Sequence, residues 1–197
     1  MRYDVGMDLI LALDISTSII GWCVLPPDSN INTYPTLKGH IDLRKVKGGF
    51  WDKVHTTRRS ITALRDELGA LGHAVTLVCV EEPLKKFARG RSSAGTISML
   101  ARFNALVSFF ALETFGSEPL YIDATFARKK IGIPLLSRKK SGGMSQKEQT
   151  ASFLCERVFK DEKWTLNRSG KMQTYHADEI DAFVICVAGC MGLGEPA

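Results

Sequence analysis

A mixed α/β sheet with helices on both faces is the fold class this sequence predicts, and three observations predict it. Apolar segments of strand length and of helix length alternate along the chain. Two apolar runs, Leu9 to Leu13 and Ile19 to Leu25, are separated only by an acid and the small polar turn Ser16-Thr17-Ser18, which makes the second an antiparallel partner of the first. The run Ala74 to Val80, bounded by Gly72 and Pro83, follows a helix-period segment and reads as a further, central strand.

The elements follow in order. Residues 8 to 14 are apolar almost throughout, as in a strand buried on both faces. Gly21 within Ile19 to Leu25 marks a place where something approaches the backbone closely. Thr36 to Leu43 supplies a weaker third strand. Val54, Ile61, Leu64, Leu68 and Leu71 recur at helical spacing, so Phe50 to Leu71 is an amphipathic helix that stops near Gly69 and Gly72. After the fourth strand come a strongly apolar helix from Thr96 to Phe115, a fifth strand from Pro119 to Ile122 and a short helix from Ala124 to Ile131. Ser145 with Glu148 forms a capping-box pattern for a helix running through Val158. Asp161 to Tyr175 is polar and irregular, and Ala177 to about Met191 is a final helix, apolar on nearly every face. The expectation is a five-stranded mixed sheet in a single domain spanning 1–197, with no internal repeat.

At 197 residues the chain can bury a substantial core. No apolar run is expected to cross a bilayer, since Asp14 interrupts the N-terminal candidate and also argues against a signal peptide; no membrane partner is expected. Met7 is an alternative start. The five cysteines form no CxxC pair and read as buried, reduced thiols of an intracellular, cytoplasmic protein rather than as a zinc site. The net charge of +5 suits a polyanionic partner. Its distribution is more informative. No acid falls between Pro83 and Leu112, where Lys85, Lys86, Arg89 and Arg91 cluster, or between Ala124 and Lys147, where Lys129, Lys130, Arg138, Lys139, Lys140 and Lys147 lie. These are the candidate nucleic-acid contacts.

Against that background, Asp14, Glu81 or Glu82, Asp178 and Asp181 fall at the ends of apolar strands or within an apolar helix, where acids are seldom found unless paired or metal-bound. Asp178 and Asp181 share a helix face; Glu179 points elsewhere, to a supporting or surface position. His176, just before the predicted helix, reaches the site only if the backbone turns. Glu81 and Glu82 point to opposite faces of their strand, so only one joins Asp14. Clustered carboxylates suit Mg²⁺, with Mn²⁺ as a substitute, and two such ions about 4 Å apart support phosphodiester hydrolysis.

These segments, Asp14-Ile15-Ser16-Thr17-Ser18 with Gly21-Trp22, Val80-Glu81-Glu82-Pro83 and Asp178-Glu179-Ile180-Asp181-Ala182, resemble in order and spacing the motifs of the RuvC family of Holliday junction resolvases, within the RNase H-like superfamily, and most of all its phage-type members. The resemblance implies an RNase H-like fold and a homodimer that cuts opposed strands of four-way DNA junctions with Mg²⁺. It implies Asp14, Glu81, Asp178 and Asp181 as catalytic, metal-binding residues, and favours Glu81 over Glu82. It sets Lys129 or Lys130, and Lys147, near the scissile strand, and Gly21-Trp22 where DNA could approach the sheet. The helix Thr96 to Phe115 is a candidate dimer contact, with core packing as the alternative. The loop Arg138 to Gly143 and the segment Asp161 to Tyr175 look longer than in compact bacterial members, which leaves the preferred branched substrate open. Three rivals stand beside this reading. A sugar-kinase or actin-type ATPase would need a duplicated fold. Another RNase H-fold nuclease would act on flaps or RNA–DNA hybrids. A non-catalytic branched-DNA-binding protein would retain the fold alone. The exonuclease pattern fails because Ser16 stands where its second acid belongs.

Overall fold

The computed structural model describes residues 6–83, 94–170 and 172–196. Lys85, Lys86, Arg89 and Arg91, four of the candidate nucleic-acid contacts, lie outside them. The sheet runs in the order β3-β2-β1-β4-β5-β6, built from β1 (Asp8–Ile15), β2 (Ile19–Leu25), β3 (Leu37–Asp42), β4 (Ala74–Glu81), β5 (Leu120–Ile122) and the two-residue β6 (Glu195–Pro196). The five expected strands are present. The short β6 adds an edge beyond them, pairing antiparallel with β5.

β1 is the central strand because its residues are apolar on both faces: every position after Asp8 is buried. It pairs antiparallel with β2 and parallel with β4. Leu9, Leu11 and Leu13 face one layer of helices, α1 (Phe50–Ala70) and α2 (Ala94–Phe115), with Val54, Ile61, Phe103 and Val107. Ile10 and Ala12 face the other, made of α3 (Ala124–Lys130), α4 (Gln146–Arg157) and α5 (Thr174–Cys190), with Phe159, Phe183 and Val187. Each face thus buries its own half of an alternating pattern.

Local signals set several boundaries. Ser145 Oγ accepts from the Glu148 N–H at 3.2 Å while the Glu148 carboxylate accepts from the Ser145 N–H at 2.7 Å, closing the predicted capping box of α4. The last helix begins at Thr174, three residues earlier than the apolar pattern indicated, so His176 lies inside its first turn. Cys23, Cys79 and Cys186 are buried free thiols, as expected, while Cys155 and Cys190 are partly exposed.

One expectation is corrected here. By length and composition alone α2 could cross a membrane. It nevertheless packs as a core helix along one side, burying Phe103, Val107 and Ala111 against α1 and β4. Met99 and Phe109 are 45% and 51% exposed, and Phe109 lies on the side opposite those buried residues.

Candidate active site

Parity places the first two acids. Asp14 continues the Ile10–Ala12 side of β1, and Glu81 continues the Cys79 side of β4, which faces the same layer of helices. Because β1 and β4 are parallel, with Ala12 beside Cys79 and Leu13 beside Val80, both side chains emerge at the same end of the sheet. Glu82 lies past the end of β4, its N–H donating to the Ile122 carbonyl at 2.9 Å. The choice between the two glutamates therefore follows from which face α5 covers.

The second pair of acids arrives on α5, which crosses the sheet over β1 and β2. Gly21, beside Asp14 in the β1–β2 ladder, makes this possible. A Cβ on Gly21 would overlap the Asp178 carbonyl and fall 2.8 Å from the Glu179 nitrogen. The close approach anticipated at Gly21 is thus made by the α5 backbone, which occupies the position assigned to DNA. Trp22 points to the opposite face, where its indole covers Gly39: a Cβ there would lie 2.7 Å from Trp22 Cζ2. Gly21→Ala is expected to displace the first turn of α5, costing about 1–3 kcal/mol of stability; thermal unfolding checks this.

The acids meet around a lysine. Lys147, in the first turn of α4, sets its Nζ 2.7 Å from Asp181 Oδ2, 3.3 Å from Asp178 Oδ1 and 3.4 Å from Asp14 Oδ2. Burial alone would depress the Lys147 pKa, but the carboxylates of Asp14 and Asp181, with smaller help from Asp178, raise it instead. Arg128 of α3, 5% exposed, donates from Nη2 to Asp181 Oδ1 at 2.5 Å. Asp181, 1% exposed, is thereby held between two cations. Two of the other acids feel crowding. Burial, then the charge of Asp14 and a hydrogen-bonding contact with it, push Glu81 up to about 10. Burial and the Asp14 charge push Asp178 up to about 6.

Glu179 was expected at a supporting or surface position; it is buried, at 4% exposure. Its carboxylate accepts from Lys38 at 3.1 Å, His40 at 2.7 Å and His176 at 3.1 Å. Burial raises its pKa, but these donors together hold it below the usual carboxylate range. The His176 Nε2 accepts from the Thr165 N–H at 3.2 Å, so its proton resides on Nδ1 and points at Glu179. His176 is therefore bound up in this network, which ties β3 and the irregular segment before α5 to the turn that carries Asp178. Lys38 extends it to Glu162 at 2.5 Å.

Of the basic candidates, Lys147 joins the acids directly, and Arg138 lines the adjoining cleft with its Nε donating to the Gly143 carbonyl at 3.0 Å. Lys139 and Lys140 are exposed on the neighbouring turn. Lys129 and Lys130 are exposed on α3, Lys130 over the Phe126 ring, and among the described residues no ion pair joins either to the acids. Arg128, missed in the sequence, is the α3 residue that reaches the acids. Its signal was present: it falls between the apolar positions Ala127 and Ile131 on the inward side of a short helix.

The donor set fits a hard divalent cation: three carboxylates already converge on one cationic nitrogen, and oxygen ligands of this kind suit Mg²⁺ and Mn²⁺. Among the described residues no three acidic, histidine or cysteine side chains are already drawn into a coordination shell; the acids close on Lys147 instead.

An antiparallel hairpin extended by a parallel β4, with acids at its open end and on a helix laid across it, defines the RNase H-like class of α/β domain. Within that class the chain has the RuvC fold. It superposes on Thermus thermophilus RuvC in complex with a Holliday junction substrate with a TM-score of 0.58 at 12% identity, covering 98% of this chain and 100% of that one. Thermus thermophilus RuvC in a second structure gives 0.56 at 13% identity, covering 96% and 99%. The yeast mitochondrial Holliday junction resolvase Ydc2 gives 0.51 at 10% identity, covering 94% and 79%. No protein-family model and no curated protein matches the sequence.

Proposed function

We propose that this chain is a metal-dependent, structure-specific DNA endonuclease that resolves four-way junctions. The observation that carries the reading is the convergence of Asp14, Asp178 and Asp181 on a single cationic nitrogen at the mouth of the sheet, with Glu81 against Asp14. Asp14, Glu81, Asp178 and Asp181 would hold Mg²⁺. Bound there, divalent ions supply an activated water and stabilise the leaving oxygen of a phosphodiester. The chain's own residues orient the substrate around that centre. Arg138, Lys139 and Lys140 hold the phosphate backbone, Lys147 offers its ammonium beside the reacting phosphate, and Arg128 keeps Asp181 from moving. The shared fold of RuvC and Ydc2 supports branched DNA as the substrate, and the exposed side of α2, with Trp51 beside it, is the surface on which two copies would pair.

The test is cleavage with Mg²⁺ of a four-way junction, a flap, an RNA–DNA hybrid and a linear duplex side by side. Preferential, paired nicking of the junction is expected. Equal cutting of all four, or of the hybrid alone, would redirect the assignment to another RNase H-fold nuclease.

Three further outcomes follow from the electrostatics. Glu81 and Asp178 keep protons to higher pH than ordinary carboxylates, and a divalent ion must displace them, so Mn²⁺ affinity is expected to rise between pH 6 and pH 8 with proton release. Calorimetry in buffers of different ionisation enthalpy measures both. In the ion-free protein the sign is opposite. The folded state binds the Glu81 proton more tightly than the unfolded chain, so stability falls as pH rises from about 4.5 toward about 10. Charge reversal at Lys139 and Lys140 is expected to weaken junction binding and reduce the slope of log affinity against log salt by about 1–2; an unchanged slope would remove this turn from the interface.

A further inference from the structure

Asp14, Gly21 and His40 form one row across the sheet, each beside the next in the β1–β2 and β2–β3 ladders, and so share the face that α5 covers. The α5 backbone at Asp178 and Glu179 fills the gap left at Gly21. From there the two side chains part. Asp178 goes toward Asp14, and both carboxylates meet Lys147, at 3.3 Å and 3.4 Å. Glu179 goes the other way, toward β3, where His40 Nδ1 lies at 2.7 Å and Lys38 Nζ at 3.1 Å.

Local capping does not fix this turn. Gln173, at the N-cap of α5, makes no capping bond with its side chain, and no acid stands in the first turn to meet the helix dipole. Among the described residues the Asp178 carboxylate has one ion pair, to Lys147, whose side chain is 48% exposed. The groups that hold Glu179 are themselves held. Lys38 also pairs with Glu162, and its ammonium lies 5.0 Å from the centre of the Trp164 ring. His40 stacks on Tyr175 with ring centres 4.2 Å apart. The third donor, His176, is oriented by the Thr165 N–H, and the Gln173 N–H returns to the Thr165 carbonyl at 3.0 Å. A buried carboxylate with donors from three directions cannot shift without leaving some of them unpaired, so the network is stiff.

Resting on the nuclease reading above, we infer that Glu179 is a positioning residue for that reaction: anchored to Lys38 and His40 of β3 and, through His176, to the segment before α5, it fixes the turn that carries Asp178 and so sets where Asp178 meets a divalent ion. Asp178 and Glu179 are consecutive on one helical turn that straddles Gly21, so clamping the second sets the first. The irregular segment 162–173 is on this account part of the scaffold of the site.

The experiment uses the full chain as wild type and three variants. His40→Phe keeps a ring against Tyr175 and removes a donor; His40→Gln restores a donor. Lys38→Met keeps an unbranched side chain beside Trp164 and removes the ammonium. Hydrogen exchange is read on the ion-free proteins, Mn²⁺ affinity by calorimetry, junction binding by anisotropy, and single-turnover cleavage across a range of Mn²⁺ concentrations. In His40→Phe and Lys38→Met the amides of residues 178–181 are expected to exchange about tenfold faster, with those of 183–188 unchanged. Mn²⁺ affinity is expected to weaken by about 10–100-fold, the usual loss when a group that orients a metal ligand is removed. Cleavage at limiting Mn²⁺ falls with it, while junction affinity stays within about twofold because the phosphate contacts are untouched. His40→Gln is expected to recover most of the Mn²⁺ affinity. A purely structural role would lower the unfolding midpoint and leave the Mn²⁺ affinity of the folded protein where it was. That result, or a His40→Gln variant as weak toward Mn²⁺ as His40→Phe, overturns the positioning role, while wild-type cleavage keeps the nuclease reading intact. Should His40→Phe not fold, Lys38→Met decides by the same measurements. Wild-type protein that neither binds Mn²⁺ nor cuts the junction overturns both readings.

Discussion

Asp14→Asn is expected to lower single-turnover cleavage by at least about 10³-fold, the loss that follows when several kcal/mol of transition-state stabilisation at a metal site is removed. The substitution is nearly isosteric at a position 5% exposed, so the fold is retained. The neighbouring chemistry changes in a defined way. Glu81 holds its proton partly because of the Asp14 charge and its contact with that carboxyl group, so the variant loses part of that hold and its ion-free form is no less stable than wild type. Junction binding survives, because the basic turn at Arg138 to Lys140 is untouched and one negative charge near the phosphates is gone. Cleavage kinetics and anisotropy on one preparation separate the two effects. Undiminished cleavage would sink the catalytic assignment.

Arg128→Met is expected to be the most destabilising single change in the site. Arg128 and Asp181 are 5% and 1% exposed and pair at 2.5 Å. Removing one partner of such a pair leaves a buried charge and costs about 3–5 kcal/mol; Lys147, 2.7 Å from the other Asp181 oxygen, holds the loss toward the lower end. Cleavage falls as well, because Asp181 is no longer fixed. The double variant Arg128→Met/Asp181→Leu distinguishes these consequences. With both charges replaced by apolar groups, stability returns to near the wild-type value, while cleavage stays lost. Chemical denaturation reports the first and the junction assay the second. A double variant as unstable as the single one would show that Asp181 is not what Arg128 serves.

Much of this protein was determined by its sequence alone, and those features share a short range. The hairpin around Ser16-Thr17-Ser18, the helix from Phe50, the capping box at Ser145 and the candidacy of Asp14, Asp178 and Asp181 all rest on patterns contained within a few residues or one helical turn. The sheet's alternation was legible as well, including the statement that Glu81 and Glu82 part company. What only the tertiary structure decided was how the faces are shared out. Alternation says that two faces exist; the packing of α5 over Gly21 says which one carries the acids, and so selects Glu81 and turns a position assigned to DNA into a seat for a helix. Arg128 finds Asp181 across 53 residues of sequence, and Glu179 finds Lys38 across 141. Such pairings depend on how separately formed elements are stacked, information that no local propensity carries. The cleft beside the acids has the same origin, since its walls come from the ends of β4 and β5, from α3, and from a strap that Gln149 fastens to α4.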